Sequence, residues 1–343
     1  MPSFISRLSF SGFLLASVAL PMAALGGMNP QEVRDFKNYK ASAERGDREG
    51  QYSLGACYAK GEGVSKDQAE AFRWYLKASE QGHSSAQNNL GVCYAAGLGV
   101  AKDPVEAVKW YRKAAEQNLA AAQNNLGACF ADGLGVDKDP YEAVKWFRKA
   151  AEQGYAIGQR NLSSCYSSGK GVPANQAEAL SWARKAADQG NALGQLFLGM
   201  SYAKGDGVVK DSAEAVKWYR QAAGQGLAIG QLHLGICYAE GQGVAKDLPE
   251  AAKWYLKAAQ QDLAIGQFYL GVCYADGLGV SKDAIEAYAY LNLAGRSNPA
   301  ALKARSYIGE TMAPEARLLG QQRSKELQRE IETRMATNKT GEW

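Results

Sequence analysis

The chain has 343 residues, and its 39 lysines and arginines nearly balance its 35 aspartates and glutamates, which gives a formal net charge of +4. The charges are spread evenly and form no basic stripe, so the sequence argues against nucleic acid as the main partner. With 46% hydrophobic residues, the chain has enough apolar content to fill a continuous core.

Residues 1–26 have the features of a signal peptide. Arg7 is their only charge, an apolar stretch runs from Leu8 to Leu20, and the small residues Ala24 and Gly26 stand before the expected cleavage site. We therefore expect export to the periplasm or the exterior, with cleavage after Gly26. The alternative is an uncleaved anchor in the inner membrane, but this stretch is shorter than the run of about 20 apolar residues that a stable span needs. No later segment predicts a membrane span.

A strict internal period follows the N-terminal segment. Residues 27–45 predict a capping helix, and over 46–297 the dipeptide Leu-Gly recurs every 36 residues, with Ser163 replacing the glycine once. Such a period predicts a solenoid, in which each unit contacts only its neighbours. The seven predicted repeats are 46–81, 82–117, 118–153, 154–189, 190–225, 226–261 and 262–297.

One repeat, 82–117, illustrates the predicted unit. Its first helix carries the repeat leucine, Leu90, and ends at a Gly-x-Gly turn. Asp103 is the predicted N-cap of the second helix, with Glu106 completing a capping box, and Trp110 lies on the apolar side of that helix. The Gly-x-Gly element recurs seven times without a following Lys-Ser/Thr, so we interpret it as a turn rather than a phosphate-binding loop. The unit is helix–loop–helix.

Six cysteines occupy one position of the repeat, three residues after the leucine. Equivalent positions in stacked helices lie about 8–10 Å apart, whereas a disulfide needs Cα atoms within about 7 Å. The spacing therefore predicts buried, reduced thiols. These cysteines are Cys57, Cys93, Cys129, Cys165, Cys237 and Cys273.

The pattern A-x-x-x-L-G-x-x-Y…G-x-G-V-x-K-D…E-A-x-K-W-Y-x-K-A-A closely resembles the Sel-one-like repeat family, a tetratricopeptide-like class. The resemblance covers residues 46–297. It implies an all-α fold, a right-handed α/α superhelical solenoid of seven 36-residue helix–loop–helix repeats with terminal capping helices. It also implies a scaffold that holds protein complexes together, in bacteria often outside the cytoplasm. Beyond the repeats we expect C-terminal capping helices over 298–337 and a disordered tail over 338–343.

By resemblance to tetratricopeptide geometry, the positions five before, two before, two after and six after the repeat leucine face a concave groove. The first two of these positions are mostly polar in the first repeats and apolar in the later ones. We therefore predict binding of a protein or peptide, with no cofactor and a monomeric chain. The candidate contacts are Asn88, Asn124, Arg160, Leu196, Met200, Leu232, Ile236 and Phe268.

Two alternatives stay open. Ser167-x-x-Lys170 and Lys339-Thr340-Gly341 resemble penicillin-recognising motifs, which would make the chain a β-lactamase-like enzyme or a cell-wall hydrolase. Its two histidines, His83 and His233, stand roughly 40 Å apart at one helix spacing per repeat, and the isolated cysteines suggest no metal site. We therefore expect no enzymatic activity. The other alternative is a structural spacer, in which tighter stacking or the C-terminal helices cover the groove.

Overall fold

The computed structural model describes residues 29–341, with side chains through residue 337, and the predicted signal peptide lies outside this part of the chain. The described residues form seventeen α-helices and no strand. In chain order the helices are α1 (Pro30–Glu44), α2 (Arg48–Lys60), α3 (Gln68–Glu80), α4 (Ser84–Ala96), α5 (Pro104–Glu116), α6 (Ala120–Asp132), α7 (Pro140–Glu152), α8 (Ala156–Ser168), α9 (Gln176–Asp188), α10 (Ala192–Lys204), α11 (Ser212–Gly224), α12 (Ala228–Glu240), α13 (Leu248–Ala259), α14 (Ala264–Asp276), α15 (Ala284–Ala294), α16 (Pro299–Thr311) and α17 (Pro314–Gly341).

Helices α2 to α15 form seven consecutive pairs, each packed most extensively against its neighbours along the chain. We call the even-numbered helices α2 to α14 the first helices and the odd-numbered helices α3 to α15 the second helices. This arrangement confirms the predicted all-α class and the α/α solenoid of seven repeats. Helix α17 continues through Gly341, so residues 338–341 of the segment expected to be disordered are helical. The described part of the chain contains no helix long and apolar enough to span a membrane.

The Leu-Gly pair brings the two helices of one repeat together. Leu90 is fully buried, and a Cβ added at Gly91 would lie 2.6 Å from the ring of Tyr111 on the second helix. Glycine is therefore required for the aromatic ring to pack against the helix backbone. The fourth repeat reverses the sizes: Ala183 takes the aromatic place, and Ser163 fills the space and donates a hydrogen bond to the Ala179 carbonyl at 2.7 Å.

The Gly-x-Gly element is a turn, as predicted. Gly97 ends α4 in the left-handed region at φ +75°, where its N–H donates to the Cys93 carbonyl. Gly99 is also left-handed, and a Cβ there would overlap the carbonyl oxygen of Gln68 in the preceding repeat. The second glycine is thus where the backbones of two repeats touch. Gly63 makes the same close approach to the backbone of α1, which shows that α1 caps the solenoid by taking the place of a second helix.

The start of each second helix corrects one detail of the sequence analysis. Asp103 is the N-cap, since its carboxylate accepts hydrogen bonds from the N–H groups of Val105 and Glu106. The Glu106 side chain, however, does not return to the Asp103 N–H. That N–H donates to the Tyr94 carbonyl, and Glu106 instead pairs with Lys109 at 2.7 Å. A carbonyl in the last turn of α4 therefore replaces the glutamate as the acceptor that the capping box predicted.

A buried glutamine in every repeat ties the solenoid together, and the sequence analysis did not identify it. In repeat 4, Gln159 donates to the Ala151 carbonyl at the end of the preceding second helix and accepts from Gln189 at 2.8 Å. Buried amides with such partners are stabilising because neither end is left without a hydrogen bond. The same donation to the preceding helix is made by Gln51, Gln87, Gln123, Gln195, Gln231 and Gln267.

The six cysteines are free thiols, as predicted. Five are buried, and Cys165 is half-buried. Burial raises the pKa of the buried thiols, for example that of Cys93 to about 11. A thiol with so high a pKa is a poor nucleophile at neutral pH, so these cysteines act as small packing residues.

Candidate functional site

The candidate contacts lie on one face of the first helices. On α8 this face includes Ile157, Arg160 and Ser164, which are the positions five before, two before and two after the repeat leucine. The spacing of three and four residues keeps them on one side of the helix. We call this side of the first helices the first-helix face. Its exposure differs from one position to the next.

The position two before the leucine is more covered than the sequence analysis expected. Leu196 and Leu232 are buried, because each packs into the hydrophobic core formed with the following second helix, where Leu196 contacts the cluster of Val216 and Tyr219. They cannot serve as open hydrophobic pockets in this conformation. Met200, Ile236 and Phe268 are half-buried.

The predicted asparagines are occupied by bonds between repeats. Asn124 is buried and accepts a hydrogen bond from Asn161 at 2.7 Å, and Asn88 accepts one from Asn125 at 3.0 Å. These bonds join neighbouring first helices. Their amide oxygens are therefore engaged in joining repeats, and Asn124 is not accessible to the backbone of a peptide in this conformation. Arg160 stands at the same repeat position and is half-buried, and its buried Nε has no hydrogen-bond partner among the described side chains of residues 29–337.

The exposed apolar side chains of this face lie at the position five before the leucine. We call them the aliphatic stripe. Each is the second residue of its helix, on α8, α10, α12 and α14, and the three equivalent residues before them are Glu49, Ser85 and Ala121. The stripe consists of Ile157 (38% exposed), Leu193 (40%), Ile229 (42%) and Ile265 (47%). From the first three repeats to the last four, this position changes from polar or small residues to larger aliphatic ones. Most of the candidate contacts from the sequence analysis stand three residues later in the repeat, at the position two before the leucine.

The C-terminal helices leave the stripe open. Helix α17 packs on the second helix α15, where Leu327 and Ile331 are buried beside Tyr290. Farther along α17, Arg334 donates to Gln260 at the end of α13, another second helix. Only α16 approaches the first-helix face, and it covers part of Phe268 at the end of the array. The four stripe residues remain exposed.

The residues considered for catalysis do not assemble into a site. Ser167 is in the last turn of α8, and Lys170 lies in the loop after it. His83 caps the start of α4 and contacts Glu49 at 3.0 Å, whereas His233 on α12 stacks on Tyr219 of α11. Within the described chain, no three His, Cys, Asp or Glu side chains are grouped so that they could hold a metal ion.

Seven stacked helical pairs with an exposed first-helix face define a repeat solenoid of the tetratricopeptide-like class. The Sel1 repeat model matches the chain seven times in succession, so the chain belongs to the Sel1 repeat family. Sel1 repeat proteins generally mediate protein–protein interactions. The matched residues are 48–83, 84–119, 120–155, 156–191, 192–227, 228–263 and 264–299.

Two solved structures are similar to the chain. A Sel1 repeat protein from Oxalobacter formigenes is 36% identical, with 78% of each chain covered and a TM-score of 0.63. A protective antigen present in uropathogenic Escherichia coli strains, which displays an SLR fold, is 30% identical over 89% of this chain and 82% of its own, with a TM-score of 0.43. No curated protein sequence matches the chain.

Proposed function

We propose that the chain is an exported scaffold that binds a protein or peptide through the concave side of its solenoid, with the aliphatic stripe as the main contact. The observation that carries the proposal is that Ile157, Leu193, Ile229 and Ile265 are exposed at one position of four consecutive repeats. A contiguous apolar surface on a soluble protein usually marks an interaction site. The family's general role in protein–protein interaction supports the same conclusion.

The stripe is large enough to matter energetically. Fully burying an exposed aliphatic side chain is worth about 1.5–3 kcal/mol, and the stripe residues still expose about two fifths of their surface. Each would therefore contribute about 1 kcal/mol on binding, or about 4 kcal/mol for the four. This supports a groove for an extended or helical apolar segment, with further affinity supplied by neighbouring polar contacts.

The test compares two double variants in affinity capture. Leu193→Asp/Ile229→Asp places charges on the stripe, and Val105→Asp/Tyr141→Asp places them at the same helix position on second helices, where both residues are also exposed. Aspartate in the first helical turn is favourable in both cases, so both variants should keep wild-type helical content. We expect the stripe variant alone to lose the captured partner. Equal capture by both would refute the stripe as the binding surface.

Export is the second part of the proposal, and the sequence of residues 1–26 supports it. The expected mature chain begins at Gly27. Cell fractionation followed by mass measurement of the purified chain tests this, since cleavage removes a defined N-terminal mass. A full-length chain in the membrane fraction would favour the anchored alternative.

We further propose that the chain is a monomer without enzymatic activity. Ser167 is far from both histidines along the solenoid. This supports the absence of enzymatic activity, because nucleophilic catalysis needs a base within hydrogen-bond reach of the nucleophile. Nitrocefin hydrolysis by the purified chain, lost on Ser167→Ala, would contradict it. Capture of no partner by the wild-type chain would favour the spacer alternative.

A further inference from the structure

A polar pocket of about 330 Å³ opens on the first-helix face between repeats 3 and 4. Phe147 of α7 and Arg160 and Ser164 of α8 are among its lining residues. Lys138 and Lys170 line it from the two adjoining Gly-x-Gly loops. The pocket therefore combines an aromatic ring with three cationic side chains.

The equivalent pocket between repeats 1 and 2 has a volume of about 310 Å³ and is lined by residues 72 positions earlier. Val92 and Leu98 take the places of the serine and of the second lysine, and Asn88, the counterpart of the arginine, does not line it. Its two lysines are Lys66, the counterpart of Lys138, and Lys60, which is paired with Glu62 at 3.4 Å. Arg160 and Lys170 therefore distinguish the pocket between repeats 3 and 4 from this one.

The charges in the pocket between repeats 3 and 4 are unbalanced. Arg160 is half-buried, and its fully buried Nε has no hydrogen-bond partner among the side chains described, which end at residue 337. Neither Lys138 nor Lys170 forms an ion pair in the same part of the chain, and Asp132 is the pocket's one carboxylate among its lining residues. Burial lowers the pKa of Arg160, and no carboxylate offsets this effect. A buried cation without a partner is costly, and an anion from outside the chain would remove that cost.

We propose that this pocket binds a carboxylate group of the bound peptide. The guanidinium fork of Arg160 matches the two oxygens of a carboxylate, and the two lysines add positive charge at the rim. Ile157 of the aliphatic stripe is three residues before Arg160 on the same helix face, so an apolar peptide segment on the stripe can place a carboxylate in the pocket. The inference rests on the proposed peptide-binding function and adds the chemistry of one end of the ligand.

The experiment follows the arginine Nε–H resonances of the full chain by NMR. The probes are acetyl-dialanine with a free carboxylate, the same peptide as its C-terminal amide, and inorganic phosphate. The signal of Arg160 is assigned by its disappearance in Arg160→Gln. We expect a saturable shift with the carboxylate probe and none with the amide. An equal shift with the amide, or saturation by phosphate at lower concentration than by the carboxylate, would overturn the proposal.

Variants make the test specific to this pocket. Because Arg160→Gln lacks the arginine signal, probe binding to the variants is followed by the backbone amide resonance of Ser164, which also lines the pocket. Arg160→Gln should weaken binding of the carboxylate probe at least about tenfold, as expected for loss of a charge-assisted hydrogen bond. Lys170→Gln, at an exposed loop position, should weaken it without affecting the fold. Lys66→Gln in the pocket between repeats 1 and 2 is the matched control and should leave it unchanged. Unchanged affinity in Arg160→Gln and Lys170→Gln, or an equal loss in Lys66→Gln, would refute the assignment.

This test fails separately from the test of the stripe. The short probe reaches only the pocket, so Leu193→Asp/Ile229→Asp in repeats 5 and 6 should bind it like the wild-type chain. If the stripe variant loses the partner but binds the probe normally, the carboxylate assignment of the pocket is supported. Normal capture of the partner without any probe binding would refute the carboxylate pocket alone.

Discussion

The contact between the repeat glycine and its aromatic partner allows a quantitative prediction. In Gly91→Ala the new Cβ would lie 2.6 Å from the Tyr111 ring and 3.2 Å from the Ala107 carbonyl oxygen. Favourable carbon–carbon contacts lie at about 3.5–4.0 Å, so the ring must move by about 1 Å out of a buried position. Overpacking of this kind costs about 1–3 kcal/mol. We expect the urea midpoint, followed by circular dichroism at 222 nm, to fall accordingly.

A double-mutant cycle separates this clash from a general loss of helix packing. Tyr111→Ala alone should destabilise the chain by about 3–5 kcal/mol, as aromatic-to-alanine changes in cores do. Once the ring is absent, Gly91→Ala should cost almost nothing, which gives a coupling of about 1–3 kcal/mol. Ser163→Ala is the control, because that site already holds a Cβ and should lose only its hydrogen bond, about 1 kcal/mol. Additive effects in the cycle would refute the explanation.

Three further predictions concern the other repeated contacts. Gln159→Met removes the donor to the Ala151 carbonyl and the acceptor for Gln189, and should lower the free energy of unfolding by about 1–3 kcal/mol in urea titrations, whereas an unchanged midpoint would contradict a role in joining repeats. Asp103→Ala removes the cap of α5 and should cost about 1 kcal/mol, seen as faster hydrogen exchange in that helix and not elsewhere. Burial lowers the pKa of His233, so its neutral form is favoured in the folded chain. Stability is then lost as the pH falls below the pKa of histidine in the unfolded chain, about 6.5. His233→Phe should therefore reduce the drop in melting temperature between pH 7 and about pH 5. An equal drop in the variant and the wild-type chain would refute this linkage.

The fold was predictable because a period of 36 residues determines which positions recur, and recurring positions share one environment in a solenoid. The burial of single positions was less predictable. Helical periodicity places Leu193 and Leu196 on one side of α10, about 60° apart. Only the packing of the following second helix decides which is covered, and it covers Leu196. The sequence pattern therefore indicated the correct helix face but not which of its residues a partner can reach.

Polar contacts between repeats were the other gap. A glutamine stands three residues before the leucine in all seven repeats, and this regularity was a usable signal for a buried amide. The partners of this amide could not be predicted from the sequence. Gln159, for example, bonds the main-chain carbonyl of Ala151, eight residues away, and the side chain of Gln189, thirty residues away. The same holds for Glu106, whose predicted partner, the N–H of Asp103, donates instead to the carbonyl of Tyr94 on α4. Which of several acceptors a donor bonds depends on distances in the folded chain, and the spacing of residues along the sequence does not give these distances.

In the fourth repeat Ser163 replaces the glycine and Ala183 replaces the aromatic residue, and this has a consequence for the removal of whole repeats. Both residues belong to the repeat 154–189, so the altered contact is closed within one unit. The glutamine donation to the preceding helix, by contrast, crosses a repeat boundary but uses a main-chain carbonyl, which any neighbouring unit supplies. Excision of residues 154–189 as one block should therefore join Gln195 to the Ala151 carbonyl and yield a shorter array that still melts cooperatively. The hydrogen bond from Asn161 to Asn124 also crosses a repeat boundary and would be lost in the shorter array, so the units are exchangeable in their main-chain bonds but not in every side-chain contact.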